Sequence, residues 1–321
     1  MPNFTFLVLS FLFLFLIELL YLKIADHYNI IDKPNQRSSH SQITIRGGGI
    51  IFFVAALVYW GYAMQYTYFF IGLTLVALVS FIDDIMTLPN RYRLPFQFLV
   101  IVLALIQLEV PLNNIFVWVG LTIIGVGFIN AYNFMDGING ITGGYSLITL
   151  LTLWYINISQ TQFIENEFLL CIIASLLVFN IFNFRKKALC FAGDIGSISI
   201  ACIIFFLLIK LILIHQNPLY ILLLSVYGID SVFTIIHRLI LRQNIFEAHR
   251  LHLYQILVNN LKIPHLVTSI IYIAIQAIIN IFVIATQSVI TISPWVSIGG
   301  VLTILGTIYV MIKTKLLKIR P

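Results

Sequence analysis

Eleven apolar stretches follow one another along the chain, at about residues 4–22, 47–62, 66–82, 95–110, 114–132, 141–158, 167–183, 195–214, 219–238, 264–284 and 294–312. Each is close to the ~20 residues that a helix needs to cross the hydrocarbon core of a bilayer. A backbone in lipid must satisfy its own hydrogen bonds, so serial stretches of this length form helices. The expected fold is therefore all-α: a polytopic integral membrane protein with about eleven transmembrane helices. With 60% hydrophobic and only 9% charged residues among 321, no sizeable soluble domain is left over, and residues 1–321 read as a single polytopic membrane domain. Such a composition excludes an ordinary soluble enzyme.

The basic residues orient the bundle. The first stretch has no cationic segment before it and no small-residue cleavage pattern, and the nearest cation, Lys23, follows it. It is expected to be an uncleaved first span with its amino terminus outside. The connections after odd-numbered spans are then cytoplasmic, and they hold seventeen of the eighteen Lys and Arg residues, the exception being Lys210 within span eight. That asymmetry is what the positive-inside tendency produces. It places the carboxyl terminus in the cytoplasm, accounts for the net charge of +6 and gives no reason to expect a nucleic-acid partner. Cys171, Cys190 and Cys202 lack metal-ligand spacing and read as small apolar packers.

The cytoplasmic connections carry compact groups of chemistry-bearing residues. Residues 31–49, IDKPNQRSSHSQITIRGGG, bring Lys33, Arg37, His40 and Arg46 ahead of three glycines. This suits phosphate contact, through Lys33 and Arg46, as well as it suits a basic loop with a flexible turn. FIDDIMTLPNRYRLP puts Asp83 and Asp84 side by side at a helix end, where a cation or a proton must relieve their repulsion, or where both are simply solvated. NAYNFMDGING spaces Asn130, Asn133 and Asp136 three apart, on one helix face if the helix persists that far. Its amides suit a nucleobase or a metal, and its aspartate a metal or a ribose. In FNFRKKALCFAGDIGS, Asp194 lies between Gly193 and Gly196 at a helix start, where it is expected to be an N-cap and also suits a Mg2+ ligand. In the last loop, His249, Arg250 and His252 are close enough for a cationic patch, and Asp230 upstream suits pairing with a neighbouring cation. Four aspartate-bearing groups and one His/Arg group on one face suit a Mg2+-dependent reaction of a diphosphate. The competing class is a secondary transporter, whose mid-bilayer charges and repeated halves are not visible.

These segments, in order from DKPNQRSSH and RGGG through FIDD, NAYNFMDGING and AGDIGS to EAHRLHL, make the chain resemble the polyprenyl-phosphate N-acetylhexosamine-1-phosphate transferases, a group that includes the phospho-MurNAc-pentapeptide translocases. The resemblance implies an enzyme of the bacterial cytoplasmic membrane that transfers an N-acetylhexosamine-1-phosphate from a UDP-sugar to polyprenyl phosphate and releases UMP. It implies Mg2+ or Mn2+ as cofactor, and UDP-N-acetylhexosamine, the polyprenyl lipid and a second copy of the chain as partners. By the family pattern Asp83 and Asp84 match the paired catalytic aspartates, Asn133 and Asp136 the NxxDG motif, Asp194 the principal Mg2+ ligand, and His249, Arg250 and His252 the substrate-gripping loop. With the residue reading above, Asp83, Asp84 and Asp136 are expected to be catalytic, Asp194 and Asn133 to serve the metal, and Lys33, Arg46, Asn130, His249, Arg250 and His252 to bind substrate. Two positions depart from the pattern: Asn139 stands where many members have a second aspartate, and AHRLHLYQ replaces the usual ADRxHLHH or histidine run. That last form resembles members of O-antigen or capsule synthesis rather than the pentapeptide translocase.

Overall fold

A computed structural model describes residues 4–33, 42–111, 114–244, 249–288 and 293–318. Its helices are α1 (Phe4–His27), α2 (Ile50–Ala63), α3 (Thr67–Met86), α4 (Asn90–Gln107), α5 (Ile115–Met135), α6 (Ile141–Ser159), α7 (Asn166–Asn183), α8 (Gly193–His215), α9 (Ser225–Ile240), the short α10 (Leu253–Asn259), α11 (His265–Ser288) and α12 (Pro294–Lys318). A 3₁₀ turn, Pro218–Leu224, runs directly into α9. Apart from α10, each helix coincides with one apolar window of the sequence. Nine of the spans, counting Pro218–Ile240 as one, are long and apolar enough to cross a membrane among the described residues. The other two windows are α2, which has only 14 residues, and α4, which opens on Asn90, Arg91 and Arg93. The protein is an all-α, multi-pass membrane protein.

Helix α8 forms the centre and packs against α2, α3 and α5, while α12 lies at the edge against α9 and the 3₁₀ turn. Its sequence shows why: α8 is apolar on every side, as a helix surrounded by others must be, and most of its residues are buried. Helix α9 is the opposite case. Asp230, Thr234 and Arg238 recur every four residues and are buried, while Val232, Ile235, Ile236, Leu239 and Ile240 are exposed. Its polar stripe faces protein and its apolar stripe faces outward, the arrangement expected in lipid.

Lys210, the cation that breaks the topological pattern, is accounted for by its neighbours. Its ammonium group lies 4.1 Å from the centre of the Tyr66 ring and hydrogen-bonds the Tyr66 hydroxyl. Tyr66 in turn donates to Glu165 at 2.8 Å, as does Tyr59 at 3.1 Å. The lysine is held by a cation–π contact and a nearby carboxylate at the end of the bundle away from the aspartate groups.

Candidate active site

The loop after α1 is pinned onto the start of α8. Strands β1 (Ile31–Asp32) and β2 (Thr44–Ile45) pair antiparallel, Ile31 opposite Ile45, and Ile45 also bridges in parallel to Cys190. The pairing continues as Phe191 N–H donates to Ile45 O at 2.8 Å, Gly48 N–H to Phe191 O at 2.9 Å and Gly49 N–H to Ala192 O at 3.0 Å. Tyr21 of α1 donates to the Arg46 carbonyl at 2.7 Å, so Arg46 is delivered to the α8 amino terminus by a fixed backbone. Two glycines make this approach feasible. Gly193 has φ +70°, and a Cβ there would lie 2.5 Å from Asp84 Oδ2. A Cβ on Gly196 would lie 2.5 Å from the Cα of Gly49.

Asp84, Asp83 and Asp194 converge here with two arginines. Asp84 reaches from α3 to cap α8: its Oδ1 accepts the Asp194 N–H at 2.8 Å, its Oδ2 accepts the Ile195 N–H at 3.0 Å, and Arg46 Nε pairs with Oδ1 at 2.7 Å. The side chain has no exposed surface. Asp194 is thus not the N-cap expected from its glycine-flanked position. The N-cap residue is Ala192, Asp194 stands inside the first turn, and the capping oxygens come from another helix. Asp83 is tied on one side to the Leu88 N–H and on the other to Arg93 Nη1 at 2.7 Å. The same Nη1 lies 3.1 Å from Asp194 Oδ2, so one guanidinium nitrogen bridges the two carboxyl groups. Arg46 Nη2 lies 3.7 Å from Asp194 Oδ2. Burial works against the Arg46 charge, but Asp84 and Asp194 outweigh it and raise the guanidinium pKa.

Two cavities flank this cluster. One, of about 300 Å³, is polar and is bordered by Arg46, Asn133, Asp136, Asn139, Phe191 and Asp194, among others. The second, of about 520 Å³, is mostly apolar and is bordered by Arg93, Asn130, Phe134, Arg238, His249 and His252, among others. They meet at the Arg93–Asp194 pair. Asn130 and Asn133 therefore do not act from one face: Asn130 is bonded to Gln97 Oε1 at 2.7 Å on the second cavity, and Asn133 donates to Asp194 Oδ1 at 2.8 Å on the first. The shared-face expectation for Asp136 also fails, because α5 ends at Met135 and Asp136 is its C-cap, with φ −82° and ψ 78°. Asp136 faces the first cavity and accepts from Thr142 Oγ1 at 2.6 Å. Burial, reinforced by the Asp194 charge, raises its carboxyl pKa to about 6.

The departing residues find specific tasks. Asn139, 5% exposed, donates through Nδ2 to the carbonyls of Arg185 at 2.8 Å and Lys186 at 3.3 Å, which an aspartate does only when protonated. His249 and His252 stack with ring centres 5.0 Å apart. Burial, with the charges of His252, Arg238 and Lys313, lowers His249 to about 3, so it is uncharged and the expected three-residue cationic patch is not formed. Arg250 is half-buried beside the histidines but borders neither cavity, and Lys33 is exposed and borders neither. Arg37 and His40 lie outside the described residues.

The glycosyl transferase family 4 model matches residues 66–212, from the start of α3 to the middle of α8. A probable undecaprenyl-phosphate N-acetylglucosaminyl 1-phosphate transferase of Bacillus subtilis is 26% identical over 271 residues, 77% of this chain and 75% of that protein. Over residues 66–212 the chain is similar to glycosyl transferase family 4. A phospho-N-acetylmuramoyl-pentapeptide-transferase of Lactobacillus helveticus is 28% identical over 183 residues, 48% of this chain and 56% of that protein. One of Streptococcus uberis is 43% identical over 81 residues, 25% of this chain and 23% of that protein.

The structure adds two residues, Arg93 and Asn183, to those the sequence singled out, and gives Asp230 its partner. Arg93 was visible only as one of two arginines after the Asp83–Asp84 pair, yet it borders the second cavity and pairs with Asp194 of the first. Asn183, at the end of α7, accepts the Gly140 N–H at 2.8 Å and donates to the Cys190 carbonyl at 2.8 Å, which fixes both loops of the first cavity. Asp230 pairs with His252 Nδ1 at 3.3 Å. Among the described residues no three acidic, histidine or cysteine side chains form a ready metal cage. Mg2+ does not require one, since it is commonly held by one or two carboxylates, water and substrate phosphates. Asp83 and Asp194 supply such hard oxygens, and a cationic nitrogen of Arg93 already bridges them, so the donor set fits the ion.

Proposed function

We propose that this chain transfers an N-acetylhexosamine-1-phosphate from a UDP-sugar to polyprenyl phosphate at the cytoplasmic face of a bacterial inner membrane, as one polytopic unit. The reading is supported above all by a polar and a largely apolar cavity that meet at Asp194 and Arg93. A nucleotide-sugar and a lipid phosphate are two reactants of just those contrasting kinds. The names of the relatives, all transferases of this kind, agree with it.

The polar cavity takes the donor. Phe191 offers a flat face for a base, and Asn139 and Asn183 line the same walls. Arg46 brings charge to the diphosphate, its backbone held by Tyr21 and the segment leading into α8 and its guanidinium by Asp84. The second cavity takes the acceptor: its apolar walls suit the first isoprene units, and Arg93, Arg238 and His252 suit the phosphate. An oxygen of the lipid phosphate attacks the β-phosphorus, a new P–O bond forms, the bond to the UMP oxygen breaks, and UMP leaves.

Both reactants are anions, so the chain must offset their charge while holding them in line. Arg93 borders the acceptor cavity and pairs with Asp194 of the donor cavity, so its charge lies between the two reactants. Asp83 and Asp194 would hold Mg2+, which when bound neutralises phosphate charge as a Lewis acid. Asn133 orients Asp194 by donating to its Oδ1. Asp84 contributes by capping α8, which sets the place of Asp194, rather than by touching substrate. Asp136, at the cavity wall beside Thr142, is suited to a ribose or sugar hydroxyl.

The test is transfer of label from a panel of UDP-sugars into polyprenyl phosphate by the purified protein. UDP-N-acetylglucosamine, UDP-N-acetylgalactosamine, their 6-deoxy relatives and the UDP-MurNAc-pentapeptide form the panel. Lipid-linked label from an N-acetylhexosamine supports the proposal. Label from the pentapeptide donor alone would replace the donor assignment, and no labelled lipid from any donor would overturn it.

A further inference from the structure

A carboxylate outside the arginine-bridged cluster collects more donors than any residue within it. Asp230, midway along α9 and 1% exposed, accepts from the N–H groups of Leu253 at 2.9 Å and Tyr254 at 3.5 Å. It also accepts from the hydroxyls of Tyr272 at 2.7 Å and Tyr309 at 3.0 Å, and it pairs with His252 Nδ1 at 3.3 Å. These donors come from α10, α11, α12 and the loop before α10. Lys313 approaches through a second layer, donating to Thr234 Oγ1 at 3.0 Å and to the Tyr309 hydroxyl at 2.8 Å. A buried carboxylate is costly unless it is met in this way, so four segments are tied to one point.

His252 is the end of this network that faces a cavity. Its backbone is fixed as the N-cap of α10, with its own N–H donating to Gln255 Oε1 at 3.3 Å. Its ring is held at Nδ1 between Asp230 Oδ1 and the Gln255 backbone N–H of the capping box, which fixes the ring orientation in either tautomer. The other nitrogen, Nε2, is buried and has no hydrogen-bond partner among the described residues. The ring borders the acceptor cavity together with Arg93 and Arg238. Buried polar atoms are ordinarily paired, and one left open at a cavity marks a place for a ligand atom.

We infer that Asp230 is a positioning residue: it holds His252 so that Nε2 meets the phosphate of the polyprenyl acceptor, with one proton lying between Nε2 and a phosphate oxygen. The inference rests on the acceptor assignment made above. It separates the two histidines of the loop, since His249 stacks on His252 without reaching Asp230, and it gives the buried polar stripe of α9 a task in substrate binding.

The test uses the purified full chain and measures equilibrium binding of polyprenyl phosphate without donor, alongside KM for each substrate and thermal stability. His252→Asn keeps an amide N–H toward Asp230 but leaves no atom at the Nε2 position. It should weaken acceptor binding about tenfold or more, leave donor KM within about twofold and hold the melting temperature near that of the wild type. Asp230→Asn should weaken acceptor binding similarly, and the double variant should be no weaker than the weaker single one, because both act on one contact. His252→Gln, which reaches toward the Nε2 position, should recover part of the loss. Wild-type acceptor affinity in His252→Asn, or losses that multiply in the double variant, would overturn the inference while leaving the acceptor site in place. Should Asp230→Asn not fold, the two His252 variants decide the matter alone. If the wild-type protein binds no polyprenyl phosphate, the acceptor assignment itself fails and the inference with it.

Discussion

Replacing Asp84 by asparagine should cost stability as well as activity, whereas the same change at Asp83 should cost mainly activity. The asparagine keeps one oxygen, which can still accept the Asp194 N–H and meet Arg46, but its amide nitrogen then faces the Ile195 N–H. One buried backbone donor left unsatisfied costs about 1–3 kcal/mol. Weakening the pair with Arg46, whose side chain is 28% exposed, adds about 1 kcal/mol at most after allowance for solvent screening. The sum is about 1–4 kcal/mol, localised at the start of α8. Because that turn carries Asp194, transfer should fall as well, and it should recover in part when the protein is assayed at lower temperature. In Asp83→Asn the remaining oxygen can still take the Leu88 N–H, so the main loss is charge facing Arg93 and Asp194. The assay is thermal unfolding in detergent paired with initial transfer rates for both variants. An Asp84→Asn protein with wild-type melting and no activity would refute the capping role and assign that carboxylate to the chemistry.

Further variants probe other parts of the site. Asp194→Asn should lower transfer about a hundredfold or more and abolish stimulation by Mg2+, which a Mg2+ titration of initial rates will show. Asn139→Asp places a carboxylate against the Arg185 and Lys186 carbonyls, so it should destabilise the fold by about 1–3 kcal/mol and raise the donor KM; an unchanged melting temperature would contradict that role. His249 has a folded-state pKa of about 3, below its ordinary 6.5, so the unfolded chain binds the extra proton first. Its contribution to stability is therefore fully present above pH 6.5 and is lost as the pH falls toward 3; His249→Asn should flatten that acid limb in a pH series of melting curves.

The membrane architecture was legible because a bilayer imposes one length on every crossing, and all eleven windows became helices. The basic residues also carried a readable pattern, and its one exception, Lys210, needed only a tyrosine and a carboxylate from other helices. The chemistry-bearing groups were found, but their division of labour was not. Asp84 and the α8 amides it caps are more than a hundred residues apart in sequence, so no local rule distinguishes that cap from the adjacent Asp83. Local spacing likewise put Asn130 and Asn133 together, although packing against α4 and α8 turns them to different cavities. Arg93 looked like any cation of a cytoplasmic loop until the fold set it between Asp83 and Asp194. Asp230 carried a hint, an acid inside an apolar span, but the histidine it holds is 22 residues away across residues 245–248, which lie outside the described structure.

The bond that breaks is the most direct test of the account. Purified protein should be incubated with a UDP-N-acetylhexosamine and polyprenyl phosphate in detergent, without any ion gradient, and the released nucleotide separated and identified. Attack on the β-phosphorus releases UMP, in amounts equal to the lipid-linked sugar formed, and Arg93→Ala should slow that release at least tenfold. Release of UDP would mean that the sugar carbon had been attacked instead, and together with an unaffected Arg93→Ala it would contradict the assignment of the two cavities and the charge centre between them.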